Sequence, residues 1–518
     1  MDNVENTNKI AKNAAMLYIR MAITMLITLY TGRVILDKLG AIDYGIFNTV
    51  GGIVIMLSFL NSSLASATQR FLTFYIGKGD EEGLQRVFST CVYIHIALAL
   101  LILLVSESLG MWFLNTHLNI PEDRLDAARY VLHFTSLASV MMLISTPYNA
   151  LIIAHEKMSV FAYISFIEVG LKLAIVYLIT LFEFDRLILY SFLWLMINIL
   201  LRIVYGIYSK RQFPESSLVK VYDKKMIQDI STFASWSLTS SMSWAIQNQG
   251  ANFMLNIFFG PAINAARGIA FQVQGAVKAF ASNFQVAINP QIIKSYAKEE
   301  YDYMHKLLYS SSKLSCFLLL VISAPVMTET PFILNLWLVD VPDYTIQFVR
   351  LTLVISIIDS IFSAYSVGVQ ATGKQKKWTV TVSIFGLCIL PVSYFLFKAG
   401  FNPTSVFIVN IITTFIGQSV AVSQSRFLLR ISFGEFMQKT MFPISMVSLF
   451  TMLFLSLIKN FMHTGTASSV VMILLSFLVA SILVYSLGLN KREKSIVNQQ
   501  YSKIVNKLRI FYEGKQNT

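Results

Sequence analysis

Charged residues are scarce in this chain. Only 13% of its 518 residues are Asp, Glu, Lys or Arg, whereas 55% are hydrophobic and the mean hydropathy is +0.62. A soluble globular protein carries about 25% charged residues. The composition therefore excludes a set of soluble domains, and it also excludes a disordered or collagen-like chain. It predicts a polytopic membrane protein whose few charges lie at helix ends or at functional positions.

Cysteine and the usual catalytic motifs are scarce as well. The three cysteines, Cys91, Cys316 and Cys388, lie in apolar stretches and form no C-x-x-C pair, which argues against a disulfide framework or a zinc site. The sequence has no H-E-x-x-H or G-x-S-x-G motif. GVQATGK at 368–374 has the spacing of a phosphate-binding loop but lacks the following Ser or Thr and a preceding strand. We predict no catalytic residue, no metal or cofactor, and no enzymatic activity.

Long apolar runs are abundant. A bilayer core of about 30 Å requires about 20 apolar residues per helix, and the chain contains about 14 such runs. The fold class is therefore predicted to be an all-α polytopic membrane protein with about 14 transmembrane helices. We place them at 13–36, 44–66, 86–114, 127–152, 159–182, 187–209, 231–258, 262–289, 309–334, 346–370, 377–398, 404–426, 440–460 and 466–488.

The loops between these runs alternate in charge. One set is basic, for example 210–225 and 294–313, and the other set is short and poor in Lys and Arg. By the positive-inside rule, the basic set and both termini are cytoplasmic. This distribution explains the net charge of +13 without nucleic acid as a partner.

The chain matches itself weakly at a shift near 220 residues. Leu39-Gly40 corresponds to Phe259-Gly260, and the turn at 153–157 corresponds to that at 371–375. We therefore predict two pseudo-symmetric six-helix lobes, related by an axis along the membrane normal, with a cleft that opens to each side in turn. The predicted domains are an N-terminal lobe (1–210), a linker (211–230), a C-terminal lobe (231–430), two additional helices (431–490) and a basic amphipathic cytoplasmic tail (491–518).

Several basic side chains interrupt the apolar runs. A charge at mid-bilayer costs roughly 2.5–3.5 kcal/mol on insertion scales, so it requires a partner or a function. In the predicted helix 262–289, Arg267, Gln274 and Lys278 share one face, and that helix contains no acid. Arg20 lies in the cytoplasmic third of the first helix. Arg20, Lys278 and Arg267 are predicted to form a cationic ladder that binds phosphate or pyrophosphate.

The predicted helix 231–258 is rich in amides. Its candidate substrate-binding residues are Trp244, Gln247, Asn248, Asn252 and Asn256. They either line a wet cavity that binds the hydroxyls and flat faces of sugars, or they join neighbouring helices by hydrogen bonds.

Two further intramembrane carboxylates are present. Glu168 and Lys172 stand at i and i+4, which predicts that they neutralise each other. Asp359, in the middle of the run 346–370, either balances Lys278 or takes up a proton or sodium ion for coupled transport.

The chain resembles the bacterial polysaccharide (O-antigen) flippases of the multidrug/oligosaccharidyl-lipid/polysaccharide exporter (MATE-like) superfamily over nearly its whole length. The resemblance rests on six segments taken in order: NAAMLYIRMAITMLITLYTGRVIL, LGAIDYGIFN, SSLASATQRFLTFYIGKGD, IAHEKM, FGPAINAARGIAFQVQGAV and ATGKQKKW.

This resemblance implies two six-helix lobes that form a V, with two added C-terminal helices. It implies a lipid-pyrophosphate-linked oligosaccharide, carried on undecaprenyl, moved from the inner to the outer leaflet of the bacterial cytoplasmic (inner) membrane. It also implies other polysaccharide-assembly proteins as partners. The alternative is a drug or cation antiporter of the same superfamily. Such antiporters use an acid in the first helix, whereas the membrane part of the first predicted helix in this chain holds Arg20 and no acid until Asp37.

Overall fold

A computed structural model shows a chain of helices and turns, and no strand occurs among its described residues. It describes residues 2–498 apart from 58, 156, 221–222, 463–464, 492 and 496–497. Inside the helices, side chains are described except at 2–22, 59, 62–63, 66, 232–240, 283, 286–287, 290, 294 and 297. The predicted role of Arg20 and the predicted surface helix of the tail, whose apolar residues begin at 497, therefore lie outside the described residues.

Long helices follow one another along the chain and are joined by short turns. In order they are α1 (Asp2–Leu57), α2 (Phe59–Lys78), α3 (Glu81–Thr116), α4 (Leu125–Ala154), α5 (Met158–Leu178), α6 (Arg186–Gln212), α7 (Lys224–Phe259), α8 (Pro261–Ala297), α9 (Tyr301–Thr328), α10 (Thr345–Ala371), α11 (Lys376–Lys398), α12 (Ser405–Gln424), α13 (Phe433–Phe461) and α14 (Thr466–Gly488).

The chain is a multi-pass membrane protein. Among the described residues, 11 helices are long and apolar enough to cross a bilayer. The all-α membrane fold is thus confirmed, whereas the number of about 14 spans stays a prediction.

Two glycines show the same backbone conformation at corresponding places. Gly40 kinks α1 with φ +79° and ψ 168°, and Gly260 separates α7 from α8 with φ +81° and ψ 176°. Only glycine adopts this region without strain. The two positions are 220 residues apart, and the N-terminal ends of α3 and α9 have the same spacing. The helix boundaries thus follow the repeat predicted from the sequence.

The chain packs as two compact units, each built from separate stretches. The first contains Met1–Val273, Leu334–Val349 and Val382–Thr413, and the second contains Gln274–Ile333, Arg350–Thr381 and Thr414–Thr518. The domain boundaries predicted at 210, 230 and 430 stay predictions.

In the first unit, an ion-pair network joins the kinked part of α1 to the N-terminal ends of α4 and α6. Arg124 Nη2 lies 2.5 Å from Asp43 Oδ2, and its Nη1 also bonds Asp185. Burial disfavours the charged form of Asp185, but hydrogen bonds from Arg124 and from the Ile188 and Leu187 N–H groups outweigh it and lower the pKa of this carboxyl. The predicted pair of Lys172 with Glu168 is confirmed at 2.5 Å.

In the second unit, α13 and α14 pack on α9. Ala324 of α9 is buried in one cluster with Leu455, Met472 and Ala480. Lys459 Nζ lies 3.0 Å from Glu329 Oε1, just after the end of α9. The two predicted C-terminal helices are therefore held to α9 by apolar packing and by charge.

Candidate functional site

Arg267 on α8 is buried, with 8% of its surface exposed. Its Nη2 donates a 2.9 Å hydrogen bond to the Asn248 carbonyl on α7, and its guanidinium carbon lies 4.1 Å from the centre of the Phe271 ring. Among the residues that the structure describes, no carboxylate lies within ion-pair distance of this guanidinium. Because arginine carries five N–H donors, it retains donors that a ligand oxygen could accept.

A small cavity of about 20 Å³ lies beside Arg267. It is lined on one side by Gln247, whose Nε2 donates to Asn410 Oδ1 at 3.3 Å. A cavity of this size holds about one water molecule. The structure therefore brings Gln247, Asn248 and Arg267 together around one small pocket whose remaining lining is mostly apolar. This pocket must open before it can admit a phosphate or a sugar.

Asn252 and Asn256, further along α7, are buried at 3% and 0% exposure. Asn252 Oδ1 accepts a 2.8 Å hydrogen bond from Asn264 Nδ2, and Asn256 Oδ1 accepts one of 2.8 Å from the Asn119 N–H. In this conformation both amides join neighbouring segments, which was one of the two alternatives for the amides of this helix. Their role in substrate binding stays a prediction.

Trp244 is the exposed member of the predicted set on α7, with 63% of its surface accessible. Its carbonyl accepts a 3.1 Å hydrogen bond from Asn248 Nδ2. Asn248 thus contacts Trp244 through its side chain and Arg267 through its carbonyl.

Lys278 and Asp359 form an ion pair within the second unit. Lys278 Nζ lies 3.3 Å from Asp359 Oδ2, and Gln418 Nε2 donates to Asp359 Oδ1 at 3.0 Å. The side chains of Lys278 and Asp359 remain 48% and 33% exposed. Two alternatives were predicted for Asp359. In this conformation its carboxylate balances the charge of Lys278, and a role in ion coupling stays a prediction.

Gln274 also connects α8 to α10. Its Nε2 donates to Ser356 Oγ at 2.8 Å and to the Thr352 carbonyl at 3.1 Å. The amide is used for helix packing in this conformation, and its predicted contact with substrate stays a prediction.

The predicted cationic ladder is divided between the two units. Arg267 belongs to the first and Lys278 to the second, so a continuous ladder stays a prediction. Sequence reasoning missed Asn410 and Gln418, the amide partners of Gln247 and Asp359. The available signal was the presence of amides inside the apolar run 404–426.

A family model described as MatE matches residues 14–178. No curated protein matches the sequence. Among solved structures, the chain is similar to an inward-facing multidrug resistance MATE family transporter of the MOP superfamily. The two share 15% identity with a TM-score of 0.66, and the match covers 81% of this chain and 98% of that one.

Two further solved structures are similar to the chain. Lipid II flippase MurJ in an inward closed conformation has a TM-score of 0.69 and 14% identity, and the match covers 90% of this chain and 98% of that one. A MOP superfamily transporter from Pyrococcus furiosus, whose binding pocket has reverse polarity, has a TM-score of 0.57 and 16% identity, with 81% and 96% covered. The chain therefore has the MATE/MOP transporter fold, which confirms the predicted all-α membrane fold class.

Proposed function

Taking the MatE match and the MOP transporter fold as premises, we propose that this chain is a flippase. It moves a lipid-pyrophosphate-linked oligosaccharide from the inner to the outer leaflet of the bacterial cytoplasmic (inner) membrane by alternating access. The carrier lipid is undecaprenyl, both termini are cytoplasmic, and the protein works beside other polysaccharide-assembly proteins.

The environment of Arg267 carries this proposal. A buried charge without a partner of opposite sign is costly to the protein, and no carboxylate among the described residues offsets this guanidinium. An anionic group that enters the pocket would supply the missing negative charge and accept hydrogen bonds from the remaining N–H groups of Arg267. Phosphate and pyrophosphate fit, because their oxygens match the planar fork of arginine.

The surrounding groups favour a sugar next to that anion. Gln247 and Asn248 offer amide donors and acceptors at the pocket, and the exposed ring of Trp244 offers a flat apolar face. Sugars are bound through many hydroxyl hydrogen bonds and by stacking on such faces.

The experiment compares two arginines that both stack on a ring. Arg267 lies over Phe271, and Arg202 lies over Tyr148 at the same distance of 4.1 Å. In a strain that depends on this gene for surface polysaccharide, we expect Arg267→Gln to reduce surface polymer by roughly tenfold or more at equal protein level, since a hydrogen bond to a charged group contributes about 1.5–3 kcal/mol. Arg267→Lys keeps the charge and restores part of the transport.

The matched control is Arg202→Gln, which removes an arginine that also stacks on a ring but lies outside the pocket. This variant is expected to transport normally. Wild-type export by Arg267→Gln would refute an anion site at Arg267. Equal loss in both variants would show that the effect is only on stability.

A drug or cation antiporter is the second candidate function, and Asp359 favours it. This carboxylate lies within a spanning helix and remains one-third exposed, as a site for proton or sodium coupling requires. A drug-susceptibility panel with and without the gene separates the two functions. Increased susceptibility to several cationic drugs, with unchanged surface polymer, supports the antiporter.

A further inference from the structure

The segment after α14 folds back onto α9 and is held by a buried ion pair. Glu493 Oε2 lies 2.9 Å from Lys313 Nζ, and the two side chains are 6% and 7% exposed. Glu493 Oε1 also accepts a 2.9 Å hydrogen bond from Ser310 Oγ. Removing either member of a buried pair is strongly destabilising, so the position of this segment on α9 is well defined.

A reciprocal capping interaction orders the same segment. Asn490 Oδ1 accepts from the Glu493 N–H at 2.9 Å, and Glu493 Oε2 accepts from the Asn490 N–H at 2.9 Å. This is the capping box of a helix N-terminus, with Asn in place of Ser or Thr. The chain beyond α14 therefore starts a helical turn against α9.

A cavity of about 1010 Å³ lies between α9, the start of α13 and this segment. Apolar surface dominates its walls, through residues such as Leu307, Leu314 and Leu487. Its volume is that of a small-molecule site. By the positive-inside assignment, the cavity opens at the cytoplasmic ends of these helices.

The charges at this cavity are unequally matched. Lys439 is held by Glu435 at 2.6 Å, and Lys313 is held by Glu493. Lys306 and Lys491 are exposed lining residues, and neither has an ion-pair partner in the part of the chain that the structure describes. Asp302, four residues before Lys306, also lines the cavity, so four lysines stand against three carboxylates there. The lining therefore keeps a surplus of one positive charge, and its two lysines without ion-pair partners are available to an anion at this apolar cavity.

We propose that this cavity binds an anionic phospholipid of the cytoplasmic leaflet. Lys306 and Lys491 contact its phosphate, and the apolar walls contact its acyl chains. Basic pockets between helices on the cytoplasmic side are suited to anionic headgroups. The chain's own last residues, 499–518, carry four Lys or Arg and one Glu, so they are poorly matched to a cavity edge of the same sign. This lipid is separate from the transported cargo.

The experiment measures lipid retention by native mass spectrometry of the full chain in mild detergent, with added dioleoyl phosphatidylglycerol or dioleoyl phosphatidylcholine. We expect wild type to retain phosphatidylglycerol preferentially. The double variant Lys306→Gln/Lys491→Gln should bind phosphatidylglycerol roughly thirtyfold more weakly, because each lysine contributes on the order of 1 kcal/mol. The matched control is Lys374→Gln/Lys377→Gln, two exposed lysines of a basic turn in the same unit.

Each remaining outcome overturns the proposal. Equal weakening in both double variants indicates only general surface electrostatics. Equal retention of the two lipids excludes selection by charge. Displacement of phosphatidylglycerol by millimolar inorganic phosphate indicates a phosphate site rather than a lipid site. If wild type retains no phosphatidylglycerol but a folded variant lacking 499–518 does, the tail itself fills the cavity.

Discussion

The close contact between Gly45 and Pro261 gives a sharp test of the fold. Gly45 follows the Gly40 kink of α1, and Pro261 follows the corresponding Gly260 turn at the start of α8. A Cβ atom at Gly45 would lie 1.9 Å from the Pro261 carbonyl oxygen and 2.5 Å from its carbonyl carbon. Real Cβ contacts are essentially never shorter than 3.0 Å, so one backbone must move by about 1 Å.

The expected loss of folding stability depends on which atoms must move to admit the new Cβ atom. Overpacking in a well-packed core costs about 1–3 kcal/mol, and Gly45→Ala should reach the upper end because the obstacle is backbone and not a flexible side chain. Gly51→Ala, in the same helix, is the control because a Cβ there meets nothing within 4 Å. That substitution should be neutral or stabilise by about 0.5–1 kcal/mol, since alanine is the better helix former.

The assay is thermal unfolding of both purified variants in the same detergent, followed by a thiol-reactive dye at the buried cysteines Cys91 and Cys316. We expect Gly45→Ala to unfold several degrees below wild type and Gly51→Ala to unfold at or above it. If Gly45→Ala unfolds at the wild-type temperature, α1 and α8 do not approach as closely as described, and the packing of the two repeat-related turns has to be rejected.

Two further predictions concern charge. In a double-mutant cycle, Lys278→Gln and Asp359→Asn should show a coupling of about 0.5–1 kcal/mol in unfolding, because the pair at 3.3 Å is partly exposed; additive effects would show that the pair is not formed. For Asp185, whose pKa is lowered in the folded state, the stabilisation is present above the unfolded pKa of about 3.9 and is lost as pH falls through the folded value. The difference in unfolding temperature between wild type and Asp185→Asn should therefore be constant from pH 7 to 5 and shrink below about pH 4; a difference unchanged at pH 3 would contradict the lowered pKa.

Local signals were enough to predict the helices and their repeat. Apolar runs of about 20 residues specify a membrane helix because lipid leaves the backbone no other partner than itself. Gly40 and Gly260 were aligned from the sequence alone, and both adopt the conformation that only glycine tolerates. The pairing of Lys172 with Glu168 was also predictable, because residues at i and i+4 on a helix are neighbours.

Helical periodicity indicated the face of α8 that carries Arg267 and Lys278, but it did not indicate what each residue meets. Arg267 faces a carbonyl and a ring, whereas Lys278 faces Asp359, which is 81 residues further along the chain. In an apolar run, lysine and arginine give the same sequence signal, a single positive charge. Their surroundings differ because neighbouring helices differ.

The sequence by itself therefore determined the all-α membrane class, the spacing of the repeated helix boundaries and the places of charged residues within the apolar runs. Only the tertiary structure decided which charges are neutralised, that Asn252 and Asn256 pack against other segments, and that Glu493 holds the segment just after α14 on α9. The physical reason is the distance along the sequence over which each property is set. Hydropathy and helical periodicity are properties of consecutive residues, whereas ion pairs and cavities arise between helices that are distant in sequence and meet only when the chain packs.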